Sequence, residues 1–143
     1  MPAPRQTLYL CSMSNKTAAI RPKTDIKDKE DIILLVEAFY TQVRKDPLLA
    51  PVFQQRIPDA AWPYHLGIMS GFWNSVLFAQ NDYHGTPFPK HIGLDIEAAH
   101  FDRWIEYFHQ TIDLYFTGPK ADEAKEKSVK IRLLFENKLG WLK

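Results

Sequence analysis

The stretch TPFPKHIGL, residues 86–94, lies between two long helical patterns and decides how they are connected. It places one histidine, His91, after two prolines and before a glycine. Proline and glycine interrupt long helices, so we expect a short, irregular element here. Such an element can orient the His91 ring independently of the helices on either side. We therefore take His91 as the first candidate for a binding residue.

His91 has two interpretations when the stretch is considered by itself. A neutral imidazole is a common protein ligand of haem iron. A single histidine in a loop is more commonly an exposed or hydrogen-bonded residue, because a motif this short has little specificity. The remainder of the chain has to decide between the two.

Length and composition indicate one globular domain. The 143 residues are enough to bury a proper core. Aromatic residues make up 13% of the chain, including four tryptophans and nine phenylalanines. Large flat side chains fill protein cores and also line sites for flat apolar ligands. The composition leaves both uses open.

The net charge bears on which partners the protein binds, and the cysteine content bears on its cellular compartment. A formal net charge of +1 favours neither nucleic acid nor a membrane surface, because phosphate binding needs a basic patch. The single cysteine, Cys11, excludes an intrachain disulfide and any cysteine cluster for a metal. A lone cysteine fits a reducing compartment, so we expect a cytoplasmic protein.

The first 25 residues differ in character from the rest. They carry three prolines among small and polar residues, and we expect a poorly ordered arm at 1–25 followed by one domain at 26–143. No stretch approaches the roughly 20 apolar residues that a membrane-spanning helix needs. We therefore expect a soluble protein.

A first long helix is predicted from about residue 28 to residue 45, and its apolar spacing points Tyr40 inward. A buried tyrosine normally finds a partner for its hydroxyl. Tyr40 is therefore either a core residue bonded to a backbone carbonyl or a donor directed into a cavity. The proline-rich stretch at 46–53 predicts a short, turn-like helix with Phe53 facing inward.

A second long helix is predicted from Pro58 and Asp59 to about residue 79, with Asp59 as a plausible N-cap. His65 lies in the middle of its inner face. A histidine is costly to bury without a partner, so it is either a satisfied core residue or faces a pocket. The other members of this face are Trp62, Leu66, Met69, Phe72, Trp73, Val76 and Leu77.

Two further helices are predicted, from about residue 96 to 116 and from Pro119 to Gly140. His100 and His109 lie nine residues apart on the first of these, which places them on opposite faces. They cannot share an ion, and we assign both to surface or edge roles. The inner face of this helix holds Phe101, Trp104, Ile105, Phe108, Ile112 and Tyr115.

These patterns predict an all-α fold. No segment shows convincing strand alternation, and the chain has no internal repeat, phosphate-binding glycine loop, CxxC pair or HExxH motif. The helices fit globin-like crossings, with a plain four-helix bundle as the alternative. The irregular stretch at 86–94 and the three polar aromatic residues on inner faces favour the globin-like arrangement.

Several motifs together carry a family resemblance over nearly the whole chain after about residue 28. They are AFY at 38–40, VRKD at 43–46, WPYH at 62–65, GFW at 71–73, DYHG at 82–85, PKHIGL at 89–94 and FDRW at 101–104. In these motifs the chain resembles the truncated haemoglobins, whose fold is a two-over-two helical sandwich. The glycine-pair motifs of two groups of that family are absent, and a histidine stands at the distal position. Both features favour the third group.

The resemblance implies a site for haem b, iron protoporphyrin IX, with specific residues on each side. His91 corresponds to the proximal iron ligand, and Tyr40, His65 and Trp104 correspond to polar distal residues. Lys90 or His84 would meet a haem propionate. The expected apolar haem contacts are Phe39, Phe53, Met69, Phe72, Phe88, Leu94 and Phe108.

The implied function is binding of oxygen, nitric oxide or carbon monoxide. Two charge-assisted hydrogen bonds of about 1.5–3 kcal/mol each would slow oxygen release by orders of magnitude. Such retention argues against oxygen transport and for nitric oxide dioxygenase or peroxidase-like chemistry, which needs an electron donor that the sequence does not identify. A sensor or storage globin without turnover and a haem-free helical interaction domain are the alternatives.

We predict that His91→Ala loses stable haem, because its ring would be the axial ligand held by the segment at 86–94. His84→Ala, His100→Ala and His109→Ala should keep haem. The measurement is haem content and the ferrous absorption spectrum after parallel expression, with added imidazole as a rescue. Full haem retention with an unchanged spectrum in His91→Ala would refute the assignment.

Overall fold

The computed structural model describes residues 22–83 and 96–142. These ranges contain no β-strand, and the predicted all-α class is confirmed. Most of the predicted arm and the stretch that carries Phe88, His91 and Leu94 lie outside the described residues. The helices are α1 (Lys29–Val43), α2 (Ala50–Gln54), α3 (Trp62–Phe78), α4 (Ala98–Tyr115) and α5 (Pro119–Leu142), with a 3₁₀ turn at Asp59–Ala61.

Helix α1 forms where the apolar spacing predicts it. The Asp28 carboxylate caps the helix by accepting the backbone N–H of Asp31 at 3.0 Å. This bond satisfies one of the amides that the first helical turn leaves open. The face predicted to point inward is buried and consists of Ile32, Leu35, Val36, Phe39, Tyr40 and Val43.

The start of α3 differs from the prediction. Asp59 does not cap a helix; it begins the 3₁₀ turn, and its side chain is exposed and pairs with Arg44 at 3.7 Å. The α-helix begins at Trp62, with Pro63 in its first turn. Proline is favoured there because an N–H in the first turn has no partner within the helix.

The N-terminal ends of α4 and α5 are capped by side chains that the helical spacing does not predict. Glu97 and His100 form a reciprocal capping box at the start of α4. The Asp25 carboxylate, from the end of the predicted arm, accepts the backbone N–H groups of Lys120 and Ala121, each at 2.9 Å. Helix α5 continues past Gly140, where we expected it to end, since a glycine within a helix costs only about 1 kcal/mol.

Helix α1 packs against α3 and α4, and α4 packs against α5. Phe39 from α1 and Phe108 from α4 are almost completely buried at the centre of this core. Between α4 and α5, His109 Nε2 lies 3.0 Å from the hydroxyl of Ser128. None of the helices in the described ranges is long and apolar enough to span a membrane.

Two glycines of α3 provide a matched test of packing. A Cβ on Gly71 would lie 2.5 Å from the backbone oxygen of Asp82, whereas a Cβ on Gly67 would meet nothing within 4 Å. We predict that Gly71→Ala destabilises the protein by about 1–3 kcal/mol through overpacking. Gly67→Ala should be neutral or stabilise it by up to about 1 kcal/mol. Urea unfolding of both variants measures the difference, and equal stabilities would contradict the packing.

The contact between α4 and α5 predicts a pH dependence of stability. Burial lowers the pKa of His109 and outweighs the hydrogen bond to the Lys125 backbone, which raises it; the charges of Lys125 and Asp113 have smaller, opposite effects. With a lowered folded-state pKa, the contribution of His109 is complete above about pH 6.5 and is lost as the pH falls toward that pKa, because the unfolded chain binds the proton first. We predict that His109→Gln flattens the fall in unfolding free energy between pH 7 and 5. An unchanged slope would contradict this.

Candidate functional site

One cavity of about 460 Å³ opens among all five helices. This volume lies within the usual range of small-molecule and cofactor sites, roughly 300–1,000 Å³. Its wall is mainly apolar and aromatic, with a few polar side chains among them. The apolar and aromatic lining residues include Leu49, Val52, Phe53, Ile57, Ile68, Met69, Phe72, Trp73, Ile96, Phe101, Ile131 and Phe135.

The three polar aromatic residues predicted to face a pocket all line this cavity. Tyr40 comes from α1, His65 from α3 and Trp104 from α4. The rings of Tyr40 and His65 meet edge to face with centroids 5.6 Å apart. The fold therefore brings together a phenol, an imidazole and an indole from three helices.

The Tyr40 side chain combines burial with an uncommitted hydroxyl. Tyr40 is 6% exposed, and burial raises its pKa, so the phenol keeps its proton. Within residues 22–83 and 96–142, no protein group forms a hydrogen bond with this hydroxyl. The described residues thus lack the carbonyl partner that a purely structural core tyrosine would have.

Trp104 and His65 are held in place by other rings. The Trp104 ring stacks nearly parallel on Phe108, with centroids 5.6 Å apart, and meets the Phe39 ring edge-on at 5.8 Å. The His65 ring packs edge-on against Trp62 at 5.2 Å, and its Nε2 atom is buried. Both polar rings are therefore oriented by van der Waals contacts with aromatic neighbours.

The predicted apolar contacts fall into two layers. Phe53, Met69 and Phe72 line the cavity directly. Phe39 and Phe108 are not lining residues; they lie in the layer behind, where Phe39 contacts the ring of Tyr40 at 4.8 Å. The other candidates, Phe88, His91 and Leu94, lie outside the described residues.

Several lining residues were not singled out from the sequence. His100, assigned to a surface or edge role, borders the cavity as well as capping α4. Helix α5 contributes Ile131, Arg132 and Phe135, and their place in the wall depends on how α5 crosses α4. None of these three residues was predicted from the sequence to line a cavity.

Charged groups lie at only part of the wall. The guanidinium groups of Arg56 and Arg132 both border the cavity. Arg132 also pairs with Asp102 at 2.6 Å and with Glu136 at 3.2 Å. Within the described ranges, no three histidine, cysteine or carboxylate side chains converge as a metal site. The lining suits a largely apolar ligand.

Comparison with known proteins identifies the class of this fold. No family model matches the chain. It is 29% identical over 120 residues to a group 3 truncated haemoglobin of Campylobacter jejuni, covering 82% of this chain and 94% of that protein. A crystal structure of the group III truncated haemoglobin from C. jejuni matches with a TM-score of 0.76, covering 82% and 95% of the two chains.

A truncated haemoglobin from Tetrahymena pyriformis matches with a TM-score of 0.60 and 20% identity, over 74% of this chain and 88% of that one. The fold is therefore that of a truncated globin, and the predicted two-over-two sandwich is confirmed. Within this class the chain is similar to the group III truncated haemoglobins, as its motifs indicated.

Proposed function

We propose that this protein binds haem b in the cavity and binds oxygen, nitric oxide or carbon monoxide beside Tyr40, His65 and Trp104. One observation carries the proposal: a phenol and an indole from different helices line one apolar cavity, and neither forms a hydrogen bond within the described part of the chain. Both donors are therefore left with hydrogen-bonding capacity at the cavity, which a ligand that accepts from them would use.

The composition of the wall supports haem as the occupant. Aromatic and aliphatic side chains on several helices match the faces of a porphyrin. His91 is our proposed iron ligand, on the evidence of its segment and of the family resemblance. When bound, haem supplies an iron that takes a small diatomic ligand.

The distal side chains would then select for ligands that carry negative charge. The Tyr40 phenol is kept protonated by burial, so it donates rather than accepts. The Trp104 indole is a donor only, and His65 can donate from one ring nitrogen. In an apolar cavity these hydrogen bonds are stronger than in water, which slows release of a polarised ligand.

Slow oxygen release favours chemistry over delivery. We propose conversion of nitric oxide or a peroxidase-like reaction, with electrons from a donor that is still to be identified. Oxygen storage or sensing is the alternative, since it uses the same distal residues without turnover. Mixing the oxygen complex with nitric oxide separates the two, because rapid loss of the oxygen spectrum requires turnover.

Haem binding itself is tested by the absorption spectrum of the purified full-length chain. A Soret band with one haem per chain is the expected result. Its absence after reconstitution with haem would refute the proposal and favour a haem-free helical interaction domain.

We predict that Tyr40→Phe and Trp104→Phe each speed oxygen dissociation by roughly 10- to 100-fold, the equivalent of one charge-assisted hydrogen bond. Both substitutions keep an aromatic ring and delete a donor. Carbon monoxide release serves as the internal control and should change much less, since that ligand carries little negative charge. Stopped-flow ligand displacement measures both rates. Parental oxygen release in both variants would return Tyr40 and Trp104 to a packing role.

A further inference from the structure

Asp46 is a buried carboxylate at the turn between α1 and α2, with a side chain only 1% exposed. Its Oδ2 atom accepts the backbone N–H groups of Leu48 at 2.9 Å and Leu49 at 3.0 Å. Its Oδ1 atom accepts from Arg103 Nη1 at 2.6 Å and from the Tyr107 hydroxyl at 2.7 Å. One carboxylate therefore joins the α1–α2 turn to helix α4.

The four hydrogen bonds decide the charge of this carboxylate. Burial by itself raises the pKa of Asp46, but the bonds from Tyr107, the Leu49 amide, Arg103 and the Leu48 amide outweigh it and hold the pKa below its usual value. Asp46 is thus ionised at neutral pH. A buried charge with every acceptor site in use gives a rigid junction, because moving either partner leaves an unpaired charge.

The two α4 donors lie on either side of Trp104 in the sequence. Arg103 and Tyr107 are four residues apart and share one face of the helix. Trp104 lies about 100° from Arg103 and about 60° from Tyr107 around the helix axis, and it lines the cavity. Fixing the first face against the turn therefore fixes the rotation of α4 about its axis, and with it the direction of the Trp104 indole.

The other side of the junction leads to a second part of the cavity wall. Leu49, held by Asp46, lines the cavity, and so does Phe53 on α2. The Phe53 ring contacts the ring of Tyr40 edge-on at 5.8 Å. The Asp46 junction thus connects the wall that carries Trp104 with the wall that packs on Tyr40.

We propose that Asp46 and Tyr107 are positioning residues that hold the Trp104 indole in its orientation in the cavity that Tyr40 also lines. The inference rests on the proposed function in one respect, that Trp104 donates to a bound ligand. The competing explanation is that Asp46 only caps its own turn through Leu48 and Leu49. In that case the bond from Tyr107 is dispensable for Trp104.

Tyr107→Phe separates the two explanations with little risk to folding. It deletes one hydroxyl and leaves both amide bonds to Asp46 in place. Tyr115→Phe is the matched control, because Tyr115 lies on the same helix and is 40% exposed. The first readout is ¹⁹F NMR of the full chain labelled with 5-fluorotryptophan, prepared without haem. Trp104→Phe identifies the Trp104 signal among those of the four tryptophans.

We expect Tyr107→Phe to shift or broaden the Trp104 signal and Tyr115→Phe to leave it unchanged. An unchanged Trp104 signal in Tyr107→Phe overturns the positioning role, whatever the protein binds. This readout does not depend on haem, so it stands apart from the proposed function.

The second readout is oxygen dissociation from the haem-loaded protein in a double-mutant cycle. Tyr107→Phe should speed release about three- to tenfold in the parent, as expected for weakening one hydrogen bond, and should have almost no effect in the Trp104→Phe background. Equal acceleration in both backgrounds overturns the route through Trp104. A shifted NMR signal combined with parental oxygen release in Trp104→Phe would instead refute the distal donor in the proposed function and leave the positioning role intact.

Discussion

The packing of Phe108 against rings from three helices is the contact on which the cavity depends. Its ring stacks on Trp73 of α3 at 4.8 Å and on Trp104 of α4 at 5.6 Å, and it meets Phe39 of α1 edge-on at 5.1 Å. Flat rings in contact on both faces leave little freedom for the helices to slide past one another. This cluster fixes how α4 crosses α1 and α3. It also fixes the positions of Trp104, which stacks on Phe108, and of Tyr40, which contacts Phe39.

The core face of α1 also carries a polar side chain, Tyr40, to the cavity. Tyr40 adjoins Phe39 in the sequence and contacts its ring, so the phenol is carried inward by the same helix face that forms the core. Tyr40 also lines the cavity, and its hydroxyl has no hydrogen-bond partner within the described residues. The same face of α1 therefore contributes to both the core and the cavity wall.

Helical spacing was sufficient to predict the buried face of α1 and the inward direction of Tyr40, His65 and Trp104, because each is a property of a single helix. It was wrong for Asp59, which begins a 3₁₀ turn and does not cap a helix, and for Gly140, which does not end α5. The position of His100 and the contributions of α5 depend on contacts between helices distant in sequence, as does the cap that Asp25 provides for α5. The sequence contains no local pattern for such contacts. The stretch at 86–94 lies outside the described residues, so the role of His91 stays a prediction.

Helix α4 is restrained by two interactions of different physical character, and Trp104 lies between them. The stack on Phe108 depends on shape and burial and is insensitive to pH. The Asp46 junction depends on an ionised carboxylate; because its pKa is lowered, the restraint is complete at neutral pH and is lost only in acid, as the pH falls through that lowered value. A tryptophan held by the stack alone would still pack on Phe108, yet its indole could turn with the helix. On this proposal, tyrosine, histidine and tryptophan at the right positions are not enough for a polar distal site, because the direction of the Trp104 donor also depends on Asp46, Tyr107 and Phe108, which do not line the cavity.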